Sequence, residues 1–216
     1  MSDVLPNSLS PLDGLSEVER KRFEKARSAL AQGEFDYALS ACAVLLAAHP
    51  ECLPVRRLQR AALLGKYPKR GRLIEKLLGA ASRLSFAFGG TRAKRSASEQ
   101  FARAESRLAK NPYDTAALRV LGEAATALGW IEMAVFAYEA IRELEPANRA
   151  NLFSLGTTLL AAERAADALK IADTLLAENP VDGDAQTLMR KASIAQTVDK
   201  GRWEETGDFR AKLKME

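Results

Sequence analysis

Pro112, Pro146 and Pro180 stand 34 residues apart, and the residues between them recur at the same interval. A period of that length marks a stack of one supersecondary unit, because a single helix pair cannot hide its apolar side alone and does so against the next copy. In the window Thr115 to Asn148, Leu118, Leu121, Gly122 and Ala125 form one stripe at helical spacing. Gly129 interrupts it, and Ala134, Tyr138 and Ile141 form a second stripe before Pro146. That pattern is two amphipathic helices around a tight turn. Arg149 to Asp182 repeats it with Leu152, Leu155, Gly156 and Leu159, then Ala168, Ala172, Leu175 and Pro180. A mid-helix glycine costs about 1 kcal/mol relative to alanine, so its recurrence at Gly122 and Gly156 points to a close approach there. Each proline ends the second helix by withholding a hydrogen-bond donor.

These residues resemble the tetratricopeptide repeat (TPR) family, whose unit carries an apolar residue, Leu-Gly, a further aromatic or apolar residue, Ala, an aromatic, Ala and a closing Pro. The resemblance covers Thr115 to Asp182, and the window Glu19 to Cys52 joins it in its second half through Ala38, Cys42, Leu45 and Pro50. Lys25 takes the usual leucine position of that first helix, as a degenerate terminal repeat would have it. The resemblance implies an all-α, right-handed α-solenoid of helix-turn-helix repeats. Ser16 with Glu19 has the form of a capping box, so the first helix is expected to begin near Glu17.

Pro50 to Pro112 spans one repeat plus 28 residues. Here Pro54 to Gly65 reads as a helix, Gly71 to Phe88 as a second, Gly89-Gly90 as a break and Ala97 to Lys110 as a third, and either of the last two could pair with the first. The expected organisation is a flexible N-terminus over 1–15 and a helical domain over 16–199. Within the domain stand a degenerate repeat (17–52), a remodelled repeat with a basic insertion (53–112), two regular repeats (115–148 and 149–182) and a capping helix (183–199). The cap follows from Arg190, a bulky charge at the position of Gly122 and Gly156, which disfavours a tightly packed second helix. A tail over 200–216, polar except for Trp203, Phe209 and Leu213, either wanders or folds back on the stack.

The formal net charge of +4 is unevenly spread. Lys66, Lys69, Arg70, Arg72, Lys76, Arg83, Arg92, Lys94 and Arg95 oppose only Glu75, so residues 66–95 carry +8 and the remainder −4. The first residues lack a basic start followed by an apolar run, and no stretch approaches the roughly 20 apolar residues of a membrane span. Cys42 and Cys52 are the only cysteines and have no metal-ligand spacing. A cytoplasmic location is expected. Chemistry is poorly supplied: His49 is the only histidine and precedes a turn proline with no nucleophile beside it. Gly65-Lys66 lacks the rest of a phosphate loop, and Asp182-Gly-Asp184 lacks the spaced ligands of a calcium loop. No catalytic, metal or cofactor site is expected, and the chain reads as a non-enzyme.

In TPR proteins the first helix of each repeat lines a concave groove. Mapped here, that face takes Arg20, Phe23 and Arg27, then Arg57 and Ala61, then Ala116, Arg119 and Glu123, then Phe153, Thr157 and Leu160, and last Lys191. Arg119, Glu123, Phe153 and Thr157 depart from the Lys and Asn pattern of repeats that clamp a terminal carboxylate. An acidic extended segment suits the groove better, unless its arginines merely lie over apolar surface. The basic segment admits three readings. Its central helix could solvate charge while packing Leu73, Ile74, Leu77, Leu78, Ala81, Leu84 and Phe88 inward. It could instead meet RNA, a ribosome or an acidic protein, or lie on a membrane, for which its apolar side lacks Trp. The expected function is a scaffold that binds a protein or peptide, with nucleic-acid contact as the alternative and self-association through the insert or the Trp203 tail as a third.

Overall fold

The computed structural model describes Leu12, residues 14–68 and residues 96–212, with the side chains of the last helix described as far as Val198. These residues form helices and turns: α1 (Glu17–Ala31), α2 (Phe35–Ala48), α3 (Leu53–Lys66), α4 (Ala97–Leu108), α5 (Thr115–Ala127), α6 (Ile131–Leu144), α7 (Arg149–Ala161), α8 (Ala165–Glu178) and α9 (Gly183–Lys212). The architecture is an all-α helical repeat whose helix pairing matches a TPR-like solenoid. Two compact units divide it, Met1–Arg95 with Ala102–Ala117 and Ser96–Phe101 with Leu118–Glu216, so the division runs through α4 and α5.

The repeat is set at its turns. Cys52, Asp114, Asn148 and Asp182 each donate a backbone N–H to the carbonyl three residues earlier, on His49, Asn111, Glu145 and Asn179, at 3.1–3.2 Å. Proline is the second residue of all four turns, where its fixed φ suits the bend. The prolines therefore do more than end helices, since each first helix begins three residues beyond one. The last residue of three of these turns also caps the helix. Asp114 accepts from the N–H of Ala117, Asn148 from Asn151, and Asp182 from Asp184 and Ala185. Cys52 makes no such bond, and α3 has Pro54 in its first turn instead. Both aspartates are buried and held by arginine, Asp114 by Arg107 at 2.8 Å and Asp182 by Arg149 at 2.6 Å. The Arg149 hydrogen bonds, with help from the Ala185 N–H, push the Asp182 carboxyl down to about 2.

The turns inside repeats obey a second rule. Gly33, Gly129 and Glu163 adopt φ of 79°, 77° and 58°, and the next residue returns a hydrogen bond five residues back, to Ala29, Ala125 and Leu159. This is the left-handed helix end that glycine suits. Glu163 holds the same conformation with a side chain, at a steric cost.

In the first unit, α1, α2 and α3 pack about Phe23, Ala26, Cys42, Leu45, Val55 and Leu58. The Ser16–Glu19 capping box forms as expected, and α1 starts at Glu17. Glu19 takes hydrogen bonds from the Ser16 hydroxyl and N–H and contacts His49 Nε2 at 3.0 Å, which together push its carboxyl down to about 2. The partner of α3 is α4: buried Arg56 pairs with Glu105, Arg60 donates to the Pro112 carbonyl at 3.0 Å, and the Tyr113 hydroxyl donates to the Tyr67 carbonyl at 3.0 Å. Burial pushes the Arg56 guanidinium down to about 10, which leaves it a cation at neutral pH. The 28 extra residues thus stand between the two helices of one repeat, where other repeats have a three-residue turn. A second capping box, Ser96 with Glu99, opens α4. The expected Gly71–Phe88 helix and Gly89-Gly90 break lie outside the described residues.

In the second unit the stripes read from the sequence are the core, with Leu118, Leu121, Ala134, Tyr138, Leu152, Leu155, Ala168 and Leu175 all buried. The glycines mark close approach. A Cβ on Gly122 would lie 2.8 Å from the Tyr138 ring, and one on Gly156 would lie 2.5 Å from a Leu188 methyl. Asn151, also buried, donates to the Tyr138 carbonyl at 3.0 Å. The last helix packs on α8 and α7, and Gln186, Arg190, Ser193 and Thr197 stand along one side of it, away from the buried Ala185, Leu188 and Ala192. Arg190 is thus exposed on the polar side of this helix. This helix does not stop near Val198, however, but continues to Lys212 through most of the expected tail. Its further residues offer no proline to end it, and the interior glycines Gly201 and Gly207 weaken a helix without breaking it. Side chains from Lys200 onward, Trp203 and Phe209 included, and Leu213 itself lie outside the described residues.

Replacing Glu163 with Gly is expected to stabilise the protein by about 0.5–1 kcal/mol by relieving the left-handed strain. Gly122→Ala is expected to destabilise it by about 1 kcal/mol despite its better helix propensity, because the buried Tyr138 ring cannot move aside. Urea denaturation of the two variants checks both signs.

Candidate functional site

The mapped row of the second unit draws on its three first helices. The helix α5 contributes Arg119 and Glu123, α7 contributes Phe153 and Thr157, and α9 contributes Lys191. Arg119, Glu123, Thr157 and Lys191 are exposed, and Phe153 is half-buried. The row lies opposite the buried stripes because a residue and the one four further on share a helix face, and the core has already claimed Leu118, Leu121, Leu152, Leu155 and Leu188. Between α7 and α9 the contact of Gly156 with Leu188 sets the relative height of the two helices. Ile194 is 66% exposed and Val198 48%, both on the same side as Lys191. Neither was singled out from the sequence, although the 34-residue interval from Leu160 leads to Ile194.

The first unit presents its own row. Its mapped residues Arg20, Arg27 and Arg57 are exposed. Arg20 donates to the Leu15 carbonyl and Arg27 pairs with Glu24 at 2.6 Å, so two of the three are already engaged. Phe23 does not belong to this row. It is 7% exposed and packs in the core with Ala26, Ala41 and Leu45. The physical reason is Lys25, which cannot be buried at the position where other first helices have leucine. The buried stripe of α1 shifts to Phe23, Ala26 and Ala29 instead.

Arg56 escaped sequence reading. It is next to the mapped Arg57, yet it is the buried one, turned into the α3–α4 contact. The sequence offered no signal between them, since Arg56 and Arg57 stand side by side between the buried Val55 and Leu58. The mapped basic patch, Lys69, Arg70, Arg72, Lys76, Arg83, Arg92, Lys94 and Arg95, lies outside the described residues. Lys66 is described, and it pairs with Asp36 and lies 5.5 Å from the Tyr67 ring centre.

Among the described residues no three His, Cys, Asp or Glu side chains gather where they could hold a metal ion. No helix among them is long and apolar enough to cross a membrane. His49 faces Glu19 and Glu51, an arrangement that ties the start of α1 to the α2–α3 turn. Cys42 is buried, and burial pushes its thiol up to about 11, away from reactivity at neutral pH.

The placement of the two phenylalanines has a direct check. Phe23→Ala is expected to cost about 3–5 kcal/mol as a core truncation, and the half-buried Phe153→Ala under about 2 kcal/mol, in chemical denaturation.

No family model matches the chain, and no curated protein matches it. Among solved structures it is similar to a mutant of MamA, at 18% identity and a TM-score of 0.42 over 92% of this chain and 96% of that one. It is also similar to a thermophilic TPR protein of Thermus thermophilus, at 18% identity and a TM-score of 0.39 over 85% of each chain.

Proposed function

We propose that this chain is a non-enzymatic scaffold that binds a peptide or protein segment along its first-helix row. The observation that carries the reading is the side-chain row itself. Successive repeats place Arg119, Glu123, Thr157 and Lys191 in solvent beside a half-buried Phe153, on rigid helices whose opposite sides are committed to the core. A half-buried aromatic among exposed polar groups is a fitting anchor for a partner, since it offers apolar area at little further ordering cost.

Selection of displayed random peptides on the full chain is expected to yield binders that lose at least about tenfold in affinity when Phe153→Ala and Arg119→Glu are combined. Unchanged helicity in circular dichroism would show that the variant is folded. Selected peptides indifferent to that pair would place binding elsewhere and overturn the reading.

The +8 carried by residues 66–95 favours a second reading, contact with RNA. Neutralising phosphates releases counterions, so such binding is expected to weaken steeply with salt and to fall when Arg92, Lys94 and Arg95 become glutamates. Filter binding of a single-stranded RNA from about 50 to 300 mM salt tests it. Binding that ignores salt or the three substitutions would remove nucleic acid from consideration.

A further inference from the structure

We infer that α1 and α2 present a self-complementary face through which two copies of this chain pair about a two-fold axis. This face is neither the first-helix row nor the basic segment, and the pairing is independent of both functional readings.

The repeat identifies the side. Gly33 and Pro50 recur as Gly129 and Pro146, 96 residues on, and the next repeat follows 34 residues later. Lys21, Lys25 and Ser28 on α1 therefore correspond to Asn151, Leu155 and Thr158 on α7, which are all buried. Asn151 donates to the Tyr138 carbonyl of α6, so this is the side that a first helix turns toward the repeat before it. On α1 the three residues are exposed, and Val18 on the same stripe is 69% exposed. The neighbouring side of α2 carries Tyr37 and Val44, 50% and 53% exposed, on a helix whose one charged residue is Asp36. Their counterparts are the buried Met133 and Ala140 on α6 and the polar Asp167 and Thr174 on α8. In those repeats the two places hold apolar residues that are covered or polar ones that water reaches. Tyr37 and Val44 are apolar and open.

Charge and shape point to a second copy as the occupant. A shallow groove of about 280 Å³ lies between the last turns of α1 and the start of α2, with Lys25, Ser28, Gln32, Glu34 and Tyr37 in its lining. One face thus holds a tyrosine beside a recess, and a cation together with an anion. A partner of single charge would meet one attraction and one repulsion there. A copy turned by a two-fold axis sets Lys25 against Glu34 of the partner subunit and Glu34 against Lys25 of the partner subunit, and lays each Tyr37 on the opposite recess. The polar side of α9, with Gln186, Arg190, Ser193 and Thr197, offers Tyr37 and Val44 no apolar mate, so the pair closes and does not run head to tail. Two helices about 21 Å long and about 20 Å across together cover about 400 Å² on each copy, near the lower limit of specific interfaces. The dimer is therefore weak, with dissociation on the order of 10–100 μM.

Sedimentation velocity of the full chain from about 1 to 300 μM tests this, and the mean mass is expected to rise toward that of two chains. Tyr37→Lys with Val44→Lys, both at exposed positions, is expected to weaken association at least about tenfold without changing the circular dichroism. Lys25→Glu and Glu34→Lys are each expected to weaken the homodimer by at least about threefold. An equal mixture of those two variants is expected to associate as tightly as the wild type, because each mixed pair restores both charge contacts. A chain that stays monomeric throughout would overturn the inference, as would association indifferent to Tyr37 and Val44 or a mixture without rescue. A monomer whose urea midpoint falls on Tyr37→Lys with Val44→Lys would give the face to another segment of this chain, and that outcome also overturns it.

Discussion

The four-residue turn that closes each repeat is the constraint on which the rest depends. Its backbone bond from Cys52, Asp114, Asn148 or Asp182 fixes where the next first helix begins, and that choice rotates every side chain downstream. One residue's slip would turn a helix by about 100° and trade core positions for solvent ones. The turn is secured by proline's fixed φ, by a side chain that caps the new helix and, at Asp114 and Asp182, by an arginine brought to a buried carboxylate. Removing the arginine would leave that carboxylate desolvated and unmatched, so turn and packing sustain each other.

From that register the exposed side of the first helices follows. The first helices turn leucines and a glycine toward their neighbours, and the residues left over line up on the opposite side as Arg119, Glu123, Phe153, Thr157 and Lys191. A repeat scaffold can change those residues at little cost in stability, because none of them is needed to bury the core. On the second-helix side, Arg164 has Glu132, Glu139 and Asp167 around it.

The remodelled repeat shows how such an array accepts an insertion. Arg56 with Glu105, Arg60 with the Pro112 carbonyl and Tyr113 with the Tyr67 carbonyl join α3 to α4 and the turn that follows it. The repeat therefore closes as a helix pair although 28 extra residues stand between its members. A turn within a repeat tolerates added length better than a turn between repeats, because the latter sets the register of the next helix. The +8 of residues 66–95 is therefore added to the array without altering its period beyond Pro112.

Much of this was readable from residues alone, since period, helix boundaries and core stripes are local consequences of spacing. Leu118 to Leu175 could be assigned to the core because a helix of about 3.6 residues per turn leaves an apolar stripe nowhere else to go, and Ser16 with Glu19 announced α1 by chemistry confined to one turn of chain. What tertiary structure alone decided were the choices between near-equivalent positions. Phe23 went inward because Lys25 could not, and Arg56 was buried rather than Arg57 because Glu105 waits on α4. Glu163 took a left-handed turn that its own side chain disfavours. Ile194 was left exposed on the last helix once Leu188 had been set against Gly156. Each of these depends on a neighbour brought in by packing, and periodicity carries no information about which neighbour arrives.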